Sequence, residues 1–238
     1  MRIDEQNNPL TSFFRDKGDG LTAQQRAAVI SVQARYERAG IPKGYKHTYI
    51  DNNVVRGDQK ALYDVLDSYV KSFTTGGIQI KSIYLYSQSP GTGKTTTAAS
   101  LLNEYIRRRF MYLASKGETI PEVLALFMDV NQIQRRYNTA IMSDNKDEIS
   151  RIVSDIEKAG KAPFLVIDDL AVRTASESYR SLIHDLVNER ISEELPTVYT
   201  SNVPVRDLAS VFDERLSDRI QDQCAVLSFK GTSKRGVR

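Results

Sequence analysis

Cysteine, histidine and tryptophan are scarce in this chain of 238 residues, which holds one Cys, two His and no Trp. A lone Cys224 cannot close an intramolecular disulfide. With only His47 and His184 beside it, no zinc-type ligand set can be assembled. Cys224 stands in an apolar run, where a small thiol serves as a core residue. Long hydrophobic stretches are missing as well. No run approaches the roughly 20 apolar residues that a spanning helix requires. No apolar leader follows Met1, so the expectation is a cytoplasmic protein without membrane contact. Charge of one sign is also missing. The 33 Lys and Arg nearly offset the 30 Asp and Glu, leaving +3, which permits nucleic-acid contact without demanding it.

The length suits one main domain with an appendage, large enough to bury a core without staples. Residues 1 to about 20 are polar, apart from the apolar pair Phe13-Phe14, a candidate anchor for a partner. Thr22 with Gln25 three residues on predicts a capped helix running to about Arg38, ended by Ala39-Gly40-Ile41-Pro42-Lys43-Gly44. Tyr49 to Asn53 reads as a linker. A helix is expected over 57–72, with Leu62, Val65, Leu66 and Val70 on one face. Apolar runs at 83–86, 123–130, 164–167, 196–200 and 225–229 read as strands. Helical periodicity lies between them, at 131–141 (capped by Asn131), 143–161, 176–192 and 205–220. Strands alternating with helices predict an α/β fold, a parallel sheet covered by helices on both faces.

The chemistry is concentrated after the first of these strands. Ser89-Pro90-Gly91-Thr92-Gly93-Lys94-Thr95-Thr96 joins the strand to a segment with Ala98, Leu101, Leu102, Tyr105 and Ile106 at helical spacing. Strand, glycine-rich loop, Gly-Lys-Thr and helix form the layout of a phosphate-binding loop. Backbone N–H groups and the helix N-terminus attract phosphate, Lys94 adds a full charge, and the Thr95 hydroxyl suits Mg²⁺. Gln88 stands where the usual pattern has its first glycine. Asp168 ends a fully apolar strand, the place of a metal-directed acid, and Asp169 follows where a carboxylate would orient an attacking water. Thr200-Ser201-Asn202 ends the next strand, where the Asn202 amide can hold that water. Arg215 and Arg219, four apart, share a helix face. They read either as surface ion pairs or as a finger reaching a neighbour's γ-phosphate. Arg235, beyond the last strand, is placed to touch nucleotide in its own subunit.

This ordered set resembles the helicase loaders of the DnaC/DnaI type, AAA+ P-loop NTPases of the initiator group. More distantly it is similar to the transposition ATPase IstB. The resemblance spans about Arg35 to Arg235 and includes Gly40-Ile41-Pro42-Lys43, the PGTGKT loop, Leu165–Asp169, Thr200–Asn202, Glu214-Arg215 with Asp218-Arg219, and Gly231-x-Ser233-x-Arg235. It implies an ATP- and Mg²⁺-dependent ATPase. In that reading Lys94 and Thr95 are Walker A, Asp168 and Asp169 Walker B, Asn202 sensor 1, Arg219 the finger with Arg215 as the alternative, and Arg235 sensor 2. It also implies residues 1–48 as a short, helical helicase-interaction region and 49–238 as the ATPase domain. The expected partners are a replicative DNA helicase, single-stranded DNA and further copies of the chain in a spiral or ring. The N-terminal region is short and has no zinc-bearing domain, as in loaders of phages or mobile elements. Gln134-Arg135-Arg136-Tyr137 lies near where the group holds single-stranded DNA, with Tyr137 either stacking on a base or filling the core. An IstB-like transposition role, or an adaptor that hydrolyses little, is the alternative.

Overall fold

The computed structural model describes residues 22–74, 80–171 and 175–231. Phe13, Phe14 and Arg235 lie outside these residues. The five strands are β1 (Ser82–Tyr86), β2 (Leu126–Asp129), β3 (Leu165–Asp168), β4 (Thr197–Ser201) and β5 (Cys224–Ser228). All pair in parallel, in the order β2-β3-β4-β1-β5. The α-helices are α1 (Ala23–Arg38), α2 (Lys60–Tyr69), α3 (Lys94–Lys116), α4 (Val130–Met142), α5 (Lys146–Gly160), α6 (Glu177–Ser192) and α7 (Glu214–Gln223).

The two faces of the sheet can be read residue by residue. Strand side chains alternate. Ile83 and Leu85 of β1, Val166 of β3 and Val198 of β4 therefore join one core with residues of α1, α2 and α3. Tyr84, Leu165, Ile167 and Tyr199 point the other way, into a second core with residues of α4, α5, α6 and α7. The continuous apolar run of β3 is what burial on both faces requires. In the first core Tyr105 stacks on Phe164 at 4.4 Å, and Phe73 meets both edge-on.

α1 begins as its sequence predicts. Thr22 accepts from the Gln25 backbone while the Gln25 side chain accepts from the Thr22 backbone. Val29, Val32 and Tyr36 pack it into the first core. The stretch 49–53 is not a free linker. Tyr49 and Ile50 are buried, and Asn103 of α3 donates to the Tyr45 and Thr48 carbonyls just before them. Val65 also departs from expectation, being half exposed while Leu62, Tyr63 and Leu66 face the core.

Two further boundaries differ for identifiable reasons. Asp129, not Asn131, caps α4, because its carboxylate reaches the Gln132 N–H at 2.8 Å. The helix expected over 205–220 is broken into a 3₁₀ segment, Val205–Ser210, and α7. Asp213 interrupts it by capping α7 through the Leu216 N–H at 2.7 Å. Tyr137 is a core residue: it is buried, 5.6 Å from the Tyr179 ring, with its hydroxyl toward Ser178. No base can stack there without opening the core.

One buried charge was not foreseen. Arg190 of α6 is fully buried and has no carboxylate partner among the described residues. It donates to the carbonyls of Ala159, Gly160, Ala162 and Pro196 and to the Thr197 hydroxyl. It thereby caps the C-terminal end of α5, where a cation is favoured, and fastens it to the start of β4. Burial lowers its pKa to about 10, so it remains charged at neutral pH.

Candidate nucleotide-binding site

The C-terminal ends of β1, β3 and β4 lie side by side, at the edge where open parallel sheets gather ligands. The loop after β1 runs into α3. Gly91 and Gly93 have φ of 74° and 103°, left-handed values that favour glycine. At Gly93 a second constraint applies, since a Cβ would lie 2.7 Å from both Val55 methyls. Gln88 is exposed and its φ is not positive. A side chain at that point therefore costs the loop nothing, and the departure from the usual pattern is locally harmless.

Lys94 opens α3 and is buried to 6% exposure. Its ammonium donates to Asn202 Oδ1 at 2.6 Å and to the carbonyls of Ser87 and Ser89 at 3.3 Å each. The lysine thus curls over its own loop and bridges β1 to the end of β4. Thr92 is also buried, and its hydroxyl finds no partner among the described residues. A buried orphan hydroxyl inside a glycine-rich loop suits a site that is completed by a polyanion.

The acids stand beside the loop. Thr95 Oγ1 donates to Asp168 Oδ2 at 3.2 Å, and Thr200 Oγ1 donates to Asp168 Oδ1 at 2.6 Å. Burial, reinforced by the neighbouring Asp169 carboxylate, pushes Asp168 up to about 6, although its hydrogen bonds from Thr200 and Thr95 oppose the shift. Asp169 has φ of 56°, strained for a residue with a Cβ. Its side chain accepts from the Asn131 amide at 3.1 Å. A metal would find only oxygen here, one hydroxyl and one carboxylate. Among the described residues no group of three His, Cys, Asp or Glu could hold an ion. That donor set fits Mg²⁺, which is commonly bound through one or two carboxylates, with phosphate and water completing its shell.

The structure therefore brings Lys94, Thr95, Asp168, Asp169 and Asn202 together. Ser89, Pro90, Gly91, Thr92, Gly93 and Thr96 form the loop and first turn around them. The arginines of α7 are elsewhere. Arg219 donates to Asn188 Oδ1 and, at 3.0 Å, to Ser192 Oγ, both on α6. Arg215 is exposed. Sequence reasoning missed two contacts, Asn131 to Asp169 and Thr200 to Asp168. The second had a readable signal, because Thr200 and Asp168 both stand where an apolar strand ends.

No protein-family profile matches the chain. The replicative helicase loader DnaC of Escherichia coli strain K12 is 25% identical over 194 residues, covering 81% of this chain and 70% of that one. The chain is similar to the DnaC-type helicase loaders. Its fold is that of an AAA+ P-loop NTPase. The crystal structure of the DnaC helicase loader superposes with a TM-score of 0.58 at 24% identity, covering 79% of this chain and all of that one. AMPPCP-bound DnaA from Aquifex aeolicus superposes at 0.55 and 16% identity, covering 80% of this chain and 51% of that one. The DnaC-like match takes in most of the chain. Among the described residues no helix is long and apolar enough to cross a membrane.

Proposed function

We propose that the chain is an ATP-dependent loader of a replicative DNA helicase, acting in DNA replication. The observation that carries this is the direct meeting of three separate motifs, Lys94 with Asn202 and Thr95 with Asp168, in a chain similar to DnaC. In this reading Lys94 and the loop N–H groups bind the β- and γ-phosphates of ATP. Thr95 and Asp168 hold Mg²⁺, which when bound neutralises developing charge on the phosphates. Asp169 and Asn202 orient the attacking water. Arg219 of one copy, with exposed Arg215 as the alternative, reaches the γ-phosphate held by the next, and Arg235 reads the nucleotide in its own subunit. ATP then favours a spiral or ring of copies on the helicase and single-stranded DNA, because a ligand shifts only those states that it binds differentially. Residues 1–48, with Phe13, Phe14 and the helix from Thr22, form the helicase-interaction region. Residues 49–238 form the ATPase domain.

The test is deposition of a purified replicative helicase on circular single-stranded DNA. Wild-type protein with ATP should accelerate loading and Lys94→Ala should not. Equal loading with both, or with neither protein present, contradicts the proposal. A second reading is favoured by one observation: the Asn131 amide occupies a carboxylate oxygen of Asp169. An acid so engaged suits a nucleotide-binding adaptor that turns over little. ATP turnover with helicase and DNA present separates the two.

A further inference from the structure

Thr200 opens the Thr200–Asn202 stretch but has been given no role of its own, yet it ties the two acids together. Its side chain is wholly buried. The hydroxyl proton goes to Asp168 Oδ1 at 2.6 Å, and the hydroxyl oxygen accepts from the Asp169 backbone N–H at 2.9 Å. Its carbonyl accepts from the Leu170 N–H at 2.9 Å. One residue thus holds 168, 169 and 170 in turn, just past the last paired residues of β3 and β4, Ile167 and Tyr199.

Two consequences follow from how a hydroxyl is built. It has one proton, and here the proton is spent on Oδ1, which leaves Oδ2 toward the Thr95 hydroxyl at 3.2 Å. It also has acceptor lone pairs, and one satisfies the N–H of a residue in the left-handed region, where regular sheet pairing is lost. We infer that Thr200 is a positioning residue for the metal–nucleotide complex: its hydroxyl aims Asp168 so that Oδ2 and the Thr95 hydroxyl face one divalent cation, and it holds Asp169 in its turn. This rests on the nucleotide-and-metal reading above. Valine has nearly the same shape and no hydroxyl. It would leave the carboxylate free to rotate and the Asp169 N–H unpaired.

The test uses the full chain and a fluorescent ATP analogue, titrated once with Mn²⁺ and once in excess EDTA, with the Mn²⁺ electron paramagnetic resonance spectrum of the complex as a second readout. Thr200→Val should weaken binding in Mn²⁺ about tenfold, alter the bound Mn²⁺ spectrum and leave binding in EDTA unchanged. Thr200→Ser, which keeps the hydroxyl, should return the Mn²⁺ affinity to within about threefold of wild type. The inference is overturned if Thr200→Val matches wild type in Mn²⁺, or loses affinity equally in both conditions, or if Thr200→Ser fails as badly as Val. Should Thr200→Val not fold, Thr200→Ala carries the same expectation. Lys94→Ala should lose binding in both conditions. If it binds normally, the nucleotide reading itself fails, and that pattern is distinct from every outcome for Thr200.

Discussion

Asp168 is the residue whose environment makes the sharpest demand. It is buried, and its pKa near 6 lies above the ordinary carboxylate value. Between about pH 4 and pH 6 the folded state keeps a proton that the unfolded chain releases, so stability falls as pH rises through that window. Above it the ionised carboxylate is a net cost to the nucleotide-free protein. Asp168→Asn should therefore melt at about the wild-type temperature at pH 4, and should be more stable by roughly 1–3 kcal/mol at pH 8. Thermal unfolding of both proteins across pH checks this, and parallel curves would refute it. Gly93 makes a different demand. Gly93→Ala meets a left-handed φ and the Val55 methyls together. A loss of about 2 kcal/mol or more is expected, and Val55→Ala should restore part of it in a double-mutant cycle. At this scale the loop, both acids and Asn202 were legible, because each falls at a strand end or in a spaced motif. Asn131 was misread as a helix cap. Its contact with Asp169 joins residues 38 apart, a distance no local pattern reports.

Elements were legible where period and cap agreed, and were misjudged where a side chain overruled the pattern. α6 was expected over 176–192 and is found at Glu177–Ser192 behind the Ser176 cap. The expected helix over 205–220 has apolar residues at workable spacing, but Asp213 offers the Leu216 N–H an acceptor and starts a new helix there. Three arginines of α3 and α4 are tied to acids once the elements are assembled. Arg107 and Arg108 both clasp the buried Glu104, each at 2.8 Å, and Arg136 pairs with Glu148. The strongest claim at this scale concerns Arg190, whose donors join α5 to β4. Arg190→Leu strips the donor from four carbonyls and a hydroxyl and should cost about 3 kcal/mol or more. Arg190→Lys should recover little, since an ammonium cannot replace the planar fork. Urea unfolding midpoints decide the matter, and a change below about 1 kcal/mol for Arg190→Leu would contradict it.

At the scale of the whole molecule, the sheet and the distribution of helices over its two faces follow from alternation along β1, β3 and β4. How α1 docks does not, because its anchor is tertiary: Arg35 donates to the carbonyls of Ile120 and Pro121, and the Tyr36 hydroxyl donates to that of Asn103. This helix of the proposed helicase-interaction region therefore rests on α3, the helix that Lys94 opens. The two arginines of α7 test assembly. Arg219 is held by α6 in the isolated chain, so Arg219→Ala should bind ATP normally and lose DNA-stimulated turnover, by 10³-fold or more if it is the finger. The same loss in Arg215→Ala, with Arg219→Ala turning over normally, would transfer the role to the exposed residue.

The account depends on ATP being held by the ammonium of Lys94 in the loop after β1. Calorimetric titration of wild type and Lys94→Ala with ATP and Mg²⁺ tests that most directly. The expected result is saturable binding by wild type and none detectable for Lys94→Ala, with both proteins equally folded. Equal affinity in the two would contradict the account at its base.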